Sequence, residues 1–409
     1  MNDLYFSTSL VADILSVSKS NVLTWINNKK IKASLDDKKE YIIHIDDLLK
    51  FKEFKNIKKS NWEFENNTKP LKPFSLIELF AGAGGLAIGM ERAGFQTIMF
   101  NEIDKHACNT LRKNRPTWNI VEKDIREVNF SYYHHKIDVL TGGFPCQSFS
   151  YAGKSLGFED VRGTLFFEFA RALKEIKPKV FLAENVKGLK SHDDGKTFQT
   201  IQKIINNIGY TLVESSIYKS IFYKVPQKRE RLILIGVRND LANKAVYNKP
   251  SPYRRVMTFK DIMIAGDLYP TKIPESPGQT YPQRKKEILE HVPEGGFWKD
   301  LPIDLQKEYM KGSFFLGGGK TGMARRLALS EPSLTLTTSP AQKQTERCHP
   351  LETRPLTIRE YARIQTFPDE WEFCGSLSSI YKQIGNAVPV NMAEAIAKAI
   401  IRMLNKIES

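Results

Sequence analysis

From Phe74 onward the chain alternates short apolar runs with stretches whose apolar residues recur at helical spacing. Residues 75–80 read as a strand, and Ala81-Gly82-Ala83-Gly84-Gly85-Leu86-Ala87 as a glycine turn opening a helix to about residue 93. A second strand over 97–100 ends at Glu102, with a helix behind it through 111. Ile120-Val121 leads to a third strand end at Asp124-Ile125, and Ile137-Asp138-Val139-Leu140 is a fourth strand. A helix over 166–176, a strand over 180–183 ending at Glu184-Asn185, a helix over 198–208, and strands over 211–218 and 231–236 continue the pattern. Such alternation predicts a doubly wound α/β sheet, whose ligands gather at the carboxyl ends of its strands.

The flanking segments differ. Ser7-Thr8-Ser9 caps a helix over 10–15, Ser16-Val17-Ser18 is a turn, and 19–27 place Val22, Trp25 and Ile26 on one helical face. Ile31-Lys32-Ala33, a polar turn at Asp36-Asp37-Lys38-Lys39, and Tyr41-Ile42-Ile43 read as a hairpin or wing, and 45–49 start another helix. Residues 1–55 thereby resemble an excisionase-like winged helix-turn-helix DNA-binding module; a helical cap on the next domain is the alternative. Lysines 19, 29, 30 and 32 suit phosphate contacts. The Lys/Asn-rich stretch 56–73, closing on Pro70 and Pro73, reads as a linker. Twelve of the twenty prolines fall between Pro250 and Pro355, so 241–355 is expected to be loop-rich. It carries Arg254-Arg255, Arg284-Lys285-Lys286 and Arg325-Arg326, which suit a nucleic acid or a solvated insertion. Helical order returns over 357–365, 383–389 read as a turn, and 390–404 form a closing helix.

Composition narrows the partners. A formal net charge of +15 favours a polyanion, because Lys and Arg on phosphates release counterions. The apolar runs are too short to span a bilayer and the N-terminus lacks a secretory pattern, so a soluble intracellular protein is expected, with no membrane partner. Cys108, Cys146, Cys348 and Cys374 form no C-x-x-C pair, which suggests neither a zinc site nor a disulfide framework.

Candidate chemistry lies at the strand ends. Gly82-x-Gly84-x-x-Ala87 between a strand and a helix lets backbone approach a nucleotide, and fits a dinucleotide or S-adenosylmethionine equally. Glu102 ends the next strand, where an acid can accept hydrogen bonds from ribose hydroxyls. Cys146 follows Gly142-Gly143-Phe144-Pro145; it is either a small buried thiol or a nucleophile. Glu184 ends a neighbouring strand and could serve as a proton donor or as a capping acid. Gln227, Arg229 and Arg231 alternate before a strand and point the same way, to meet a carbonyl, brace a loop or hold a phosphate.

These motifs, in this order, resemble the DNA (cytosine-5)-methyltransferase family. They are Phe80-Ala81-Gly82-Ala83-Gly84-Gly85, Asn101-Glu102-Ile103-Asp104, Asp124-Ile125, Gly143-Phe144-Pro145-Cys146-Gln147-Ser148-Phe149-Ser150, Arg162-Gly163-Thr164-Leu165-Phe166, Glu184-Asn185-Val186, Gln227-Lys228-Arg229-Glu230-Arg231, 359–368 and 383–389. The resemblance spans about residues 74–404.

It implies a Rossmann-like S-adenosylmethionine-dependent catalytic domain over 74–240, completed by 356–409, with a target-recognition domain at 241–355. Cys146, presented by Pro145, would add to cytosine C6; Glu184 would meet N3, Arg231 the carbonyl, and Arg229 would brace the catalytic loop, with Gln227 beside them. Phe80, Gly82, Gly84, Glu102, Ile103, Asp124, Ile125, Leu165, Asn386 and Val388 would line the cofactor pocket, and no metal is implied. Double-stranded DNA would be the partner, with the target base flipped out of the stack. Ser150 would touch a phosphate, and Arg325 and Arg326 a groove. The family further implies a restriction–modification enzyme, monomeric and cytoplasmic at the nucleoid; the N-terminal module, which lies outside this resemblance, suggests a second role in binding the enzyme's own promoter region. A nicotinamide oxidoreductase, a non-catalytic regulator and a transfer-RNA methyltransferase are the alternatives.

Overall fold

The computed structural model describes residues 4–36, 39–145, 165–317 and 319–409. Strands β1 (Tyr5–Ser7), β2 (Ser34–Leu35) and β3 (Tyr41–His44) form a small antiparallel sheet in the order β1-β3-β2. Helices α1 (Thr8–Leu15) and α2 (Lys19–Asn27) flank a tight turn in which Ser16 takes the left-handed conformation. Ser7 and Ser18 cap the two helices by accepting from the amides of Leu10 and Asn21.

The central sheet comprises β4 (Phe74–Leu79), β5 (Phe95–Glu102), β6 (Ile120–Glu122), β7 (Val139–Gly142), β8 (Val180–Val186), β9 (Tyr210–Lys219) and, beyond the short β10 (Gln227–Lys228), β11 (Glu230–Arg238). Its order is β6-β5-β4-β7-β8-β11-β9, with β11 antiparallel to both neighbours and the remaining pairs parallel. Period-two alternation in β11 sends Ile233, Ile235 and Val237 to one apolar layer and Leu232 and Leu234 to the other. α5 (Gly85–Ala93) and the closing helix cover the first face; α6 (Lys105–Asn114) follows β5, and α7 (Leu165–Ile176) and α8 (Lys196–Asn207) cover the second face.

The remaining helices are short until the end: α9 (Lys260–Met263), α10 (Gln283–Glu290), α11 (Ile303–Met310), α12 (Ile358–Ile364), α13 (Leu377–Asn386) and the closing α14 (Val390–Glu408). Between α9 and α12 an apolar cluster around Leu289, Trp298, Tyr309 and Met310 holds the loop-rich region together. That region returns to the main body as β12 (Ser333–Leu334), which pairs in parallel with β10.

Two expectations are corrected. The stretch expected as a linker is folded: α3 (Lys52–Lys58) and α4 (Trp62–Asn66) bury Phe54, Ile57 and Trp62, while Lys398 donates to the Thr68 carbonyl and Arg402 pairs with Glu65 at 3.2 Å. Its Lys/Asn richness belongs to the outer faces of short helices. Residues 383–386, expected within a turn, are the last turn of α13, because Gln383 and Ile384 pack inward. Among the described residues no helix is long and apolar enough to cross a membrane.

Candidate active site

The carboxyl ends of β4 and β5 build a cradle. Gly82 and Gly84 take φ of +55° and +93°, which side chains disfavour, and a Cβ on Gly82 would meet nothing within 4 Å. Open space therefore lies over Gly82, whereas a Cβ on Gly84 would run into Leu111 and Trp371 at 2.9 Å. Glu102 folds back onto it, accepting from the amides of Gly82 at 2.7 Å, Ile103 at 2.9 Å and Asp104 at 2.8 Å. A carboxylate offers about four acceptor sites, so capacity remains for a hydroxyl. Ile103 stands beside it, 65% exposed. Beneath the turn, Glu78 is fully buried, and burial raises its pKa well above the carboxylate range. From the C-terminal part, Trp371 donates its indole N–H to the Ala83 carbonyl at 3.1 Å and the Val388 backbone closes on Gly85. Asn386 is exposed at this edge. The open glycine cradle, the acceptor at its rim and the exposed aliphatic side chain beside it fit an adenosine-bearing cofactor.

At the ends of β7 and β8 a second group forms. The register Gly142↔Ala183 sets Gly143 beside Glu184. A Cβ on Gly143 would lie 3.1 Å from Glu184 Oε2, so the carboxylate packs against the bare backbone. Asn185 donates to the Phe144 carbonyl at 2.8 Å and anchors the segment that leads to the thiol. Pro145 is exposed. In β11, Ile233 faces Glu184, and Arg231 is its diagonal neighbour on the same face. Arg231 Nε meets Glu184 Oε1 at 2.7 Å, both side chains being mostly buried.

Gln227 and Arg229 do not reach this cleft. Gln227 is fully buried: its amide nitrogen donates to Gln365 Oε1 at 2.9 Å, and its oxygen accepts from the Leu336 amide at 3.0 Å. Arg229, also buried, donates to the carbonyls of Leu336, Gly385 and Asn386. Burial and the neighbouring Arg231 push its guanidinium below the usual arginine range, against the pull of Glu184. Both are positioning residues that bolt the segment after β12 and the end of α13 to the sheet. Lys228 and Glu230, pointing the other way, pair with Asp13 and Glu331 and with Lys187.

Other sequence-selected residues fall as follows. Asp124 caps a short turn and pairs with Arg126, whose guanidinium holds its carboxyl down to about 2. Ile125 is buried; Phe80 and Leu165 pack against the same apolar layer. Arg326 is corrected as a groove residue: it is 5% exposed and donates to the carbonyls of Val292, Leu289, His349 and Glu352, which hold its own region together. Arg325 is half-buried, and burial lowers its pKa despite nearby Glu331. Cys146 and Ser150 lie outside the described residues. Sequence reasoning passed over Glu78 and Trp371 and gave Gln365 no role beyond its place in the 359–368 motif; for Glu78 the available signal was an acid inside an otherwise apolar strand.

A parallel sheet with one antiparallel strand set next to its edge, a glycine cradle after β4 and an acid after β5 define an S-adenosylmethionine-dependent methyltransferase. The sequence profile of the C-5 cytosine-specific DNA methylases matches residues 74–402, and the chain belongs to that family. It is 63% identical over 406 residues to the type II methyltransferase M.PspPI of Psychrobacter sp. (strain TA137), covering 98% of this chain and 97% of the relative. Identity to M.Eco47II of Escherichia coli is 60% over 403 residues, covering 98% and 96%. A crystal structure of an E. coli prophage-encoded protein, described as a DNA modification methyltransferase, superposes with a TM-score of 0.62 at 25% identity, covering 81% of this chain and 99% of that one. The protein is a DNA (cytosine-5)-methyltransferase whose methyl donor is S-adenosylmethionine. Among the described residues no cluster of His, Cys, Asp or Glu could hold a metal ion.

Proposed function

We propose that this enzyme methylates one cytosine within a short recognition sequence in double-stranded DNA, protecting host DNA from a cognate restriction endonuclease. The observation that carries the chemistry is the Glu184–Arg231 pair seated against Gly143, three residues ahead of Cys146. C5 is a poor nucleophile within the aromatic ring. Cys146 thiolate adds to C6 and shifts electron density to C5, while Glu184 holds the N3 edge and Arg231 the adjacent carbonyl. Gly82, Gly84, Glu102 and Ile103 would hold S-adenosylmethionine, which when bound would supply the methyl group for C5 and leave as S-adenosylhomocysteine. Loss of the C5 proton to a base then lets Cys146 leave. The reacting carbon is inaccessible in a stacked duplex, so the base is flipped. Residues 241–355 serve as the target-recognition domain, and Ser150 contacts a phosphate.

Cys146→Ser tests the chemistry. The variant should lose methyl transfer and the covalent trap with 5-fluorocytosine duplex yet still bind DNA; robust turnover would sink the mechanism. Bisulfite sequencing of DNA from an expressing strain reads the target site.

A second reading concerns residues 1–55, which we propose bind the enzyme's own promoter region and repress transcription. Two capped helices about a tight turn, followed by an antiparallel pair of strands, support it. A full chain that fails to shift its promoter fragment ends that reading. The enzyme acts as a cytoplasmic monomer at the nucleoid, as one flipped base needs one catalytic centre; a dimer by light scattering would overturn the monomer.

A further inference from the structure

The N-terminal module is not tethered beside the enzyme; it is seated on it. Ile221, Phe222 and Val256 of the main body join its apolar cluster with Val11, Ile14, Val22 and Phe54. Lys219, the last residue of β9, donates to the carbonyls of Asp13 at 3.1 Å and Ile14 at 2.8 Å at the end of α1. Asp13 pairs with Lys228 at 2.7 Å, and Lys228 with Glu331 at 3.0 Å. One ammonium thereby ties together α1, the short β10 that carries Gln227 and leads to Arg229, and the loop-rich region leading to β12.

This seat lies on the catalytic edge of the sheet. β9 stands two strands from β8, which carries Glu184 near its carboxyl end, and Lys219 pairs with Glu230 beside Arg231. Two strand spacings are about 10 Å, or roughly three base pairs along a duplex. One stretch of the module, residues 14–35, is one-signed, although exposed Glu40 and Asp46 follow it. No acidic residue occurs between Asp13 and Asp36, whereas Lys19, Lys29, Lys30 and Lys32 do, all exposed. Asp13 is turned inward onto Lys228.

We propose that the module grips the duplex flanking the target cytosine in the same complex that performs catalysis, as an outer wall of the enzyme's DNA-binding face. This rests on the reading of residues 1–55 as a DNA-binding module. It adds that the DNA held there is continuous with the substrate. A rigid seat fixes the spacing between the two contacts, so the energy of one adds to the other on a sufficiently long duplex.

The test uses the full chain with K19Q, K29Q, K30Q and K32Q together. Two substrates carry the site mapped by bisulfite sequencing. One ends about five base pairs either side of it; the other extends about fifteen further on each side. The wild-type KM for the short duplex should exceed that for the long one about tenfold, and in the variant the ratio should fall to about one. The dependence of log KM on log salt, on the long duplex, should flatten by about 0.9 per lost phosphate contact. Equal ratios and equal salt slopes in the two proteins overturn the inference. A promoter fragment lacking the site separates the readings. If the variant loses only the promoter shift, the shared-duplex inference fails and promoter binding stands; if it loses only the length advantage, the inference holds and promoter binding through these lysines fails.

Discussion

Gly143→Ala adds one methyl group at the point where the backbone before Cys146 meets the Glu184 carboxylate. The added carbon would stand 3.1 Å from Oε2, where ordinary contact begins at 3.4 Å. The oxygen must retreat about 0.3 Å, and it cannot do so freely. Oε1 is held by Arg231 at 2.7 Å, and the Glu184 backbone is paired in β8 with β11. Gly143 does not take a positive φ, so alanine adds no backbone strain there. The damage should therefore fall on alignment more than on folding. If a misplacement of about 1 Å costs ~10²-fold, 0.3 Å costs about fourfold, or ~0.8 kcal/mol of barrier. Gly143→Val, with more bulk on the same side, should cost more than alanine. Single-turnover transfer of tritiated methyl from S-adenosylmethionine to a duplex reads this step, with duplex Kd and thermal midpoint measured alongside. Equal single-turnover rates for wild type and Gly143→Ala would refute the reasoning, as would a valine variant faster than the alanine one.

Three further outcomes follow from the same geometry. Gln227→Ala and Gln365→Ala should each destabilise by about 1–3 kcal/mol, because each leaves a buried amide without its partner. In a urea double-mutant cycle the pair should lose at least ~0.5 kcal/mol less than the sum, and strict additivity would refute the coupling. Trp371→Phe keeps a ring but deletes the donor to the Ala83 carbonyl. S-adenosylmethionine should bind severalfold more weakly by calorimetry, and an unchanged Kd would show that the turn holds its shape alone. Burial pushes the Cys108 thiol up to about 12 and the Cys348 thiol to about 11. Burial disfavours the charged thiolate, so at pH 8 only about one Cys108 in 10⁴ ionises, and reactivity rises only as pH climbs toward 11–12. Iodoacetamide at pH 8 on the native protein should leave both unmodified by mass spectrometry, and rapid labelling of either would contradict the burial.

Much of the catalytic sheet was legible because its signals are local. Short apolar runs placed most strands from β4 to β11 within about two residues of their bounds, since a strand buried on both faces needs an unbroken apolar run; β8 runs on to Val186, three residues past its expected 180–183, and the two-residue β10 was not expected. Glu102, Glu184 and Arg231 were selected for standing at strand ends, and the sheet order brings the last two together. Gln227 was harder to place. Alternation showed that it shares a face with Arg229 and Arg231 but not what lies opposite, which is Leu336 and Gln365, more than a hundred residues away. Arg326 misled for a related reason. A basic dipeptide in a proline-rich region looks solvated until the carbonyls it binds are known.

The sequence by itself determined the α/β alternation, the cradle at the end of β4 and the acids at the strand ends, because each depends on neighbours a few residues apart. Tertiary structure decided three things. It turned the expected linker into helices clamped along α14, seated the N-terminal module through Asp13 and Lys228, and made Gln227 and Arg229 bolts within the core. All three rest on contacts between residues distant in the chain, where burial and available partners, rather than residue type, settle whether a charge faces water or holds the interior together.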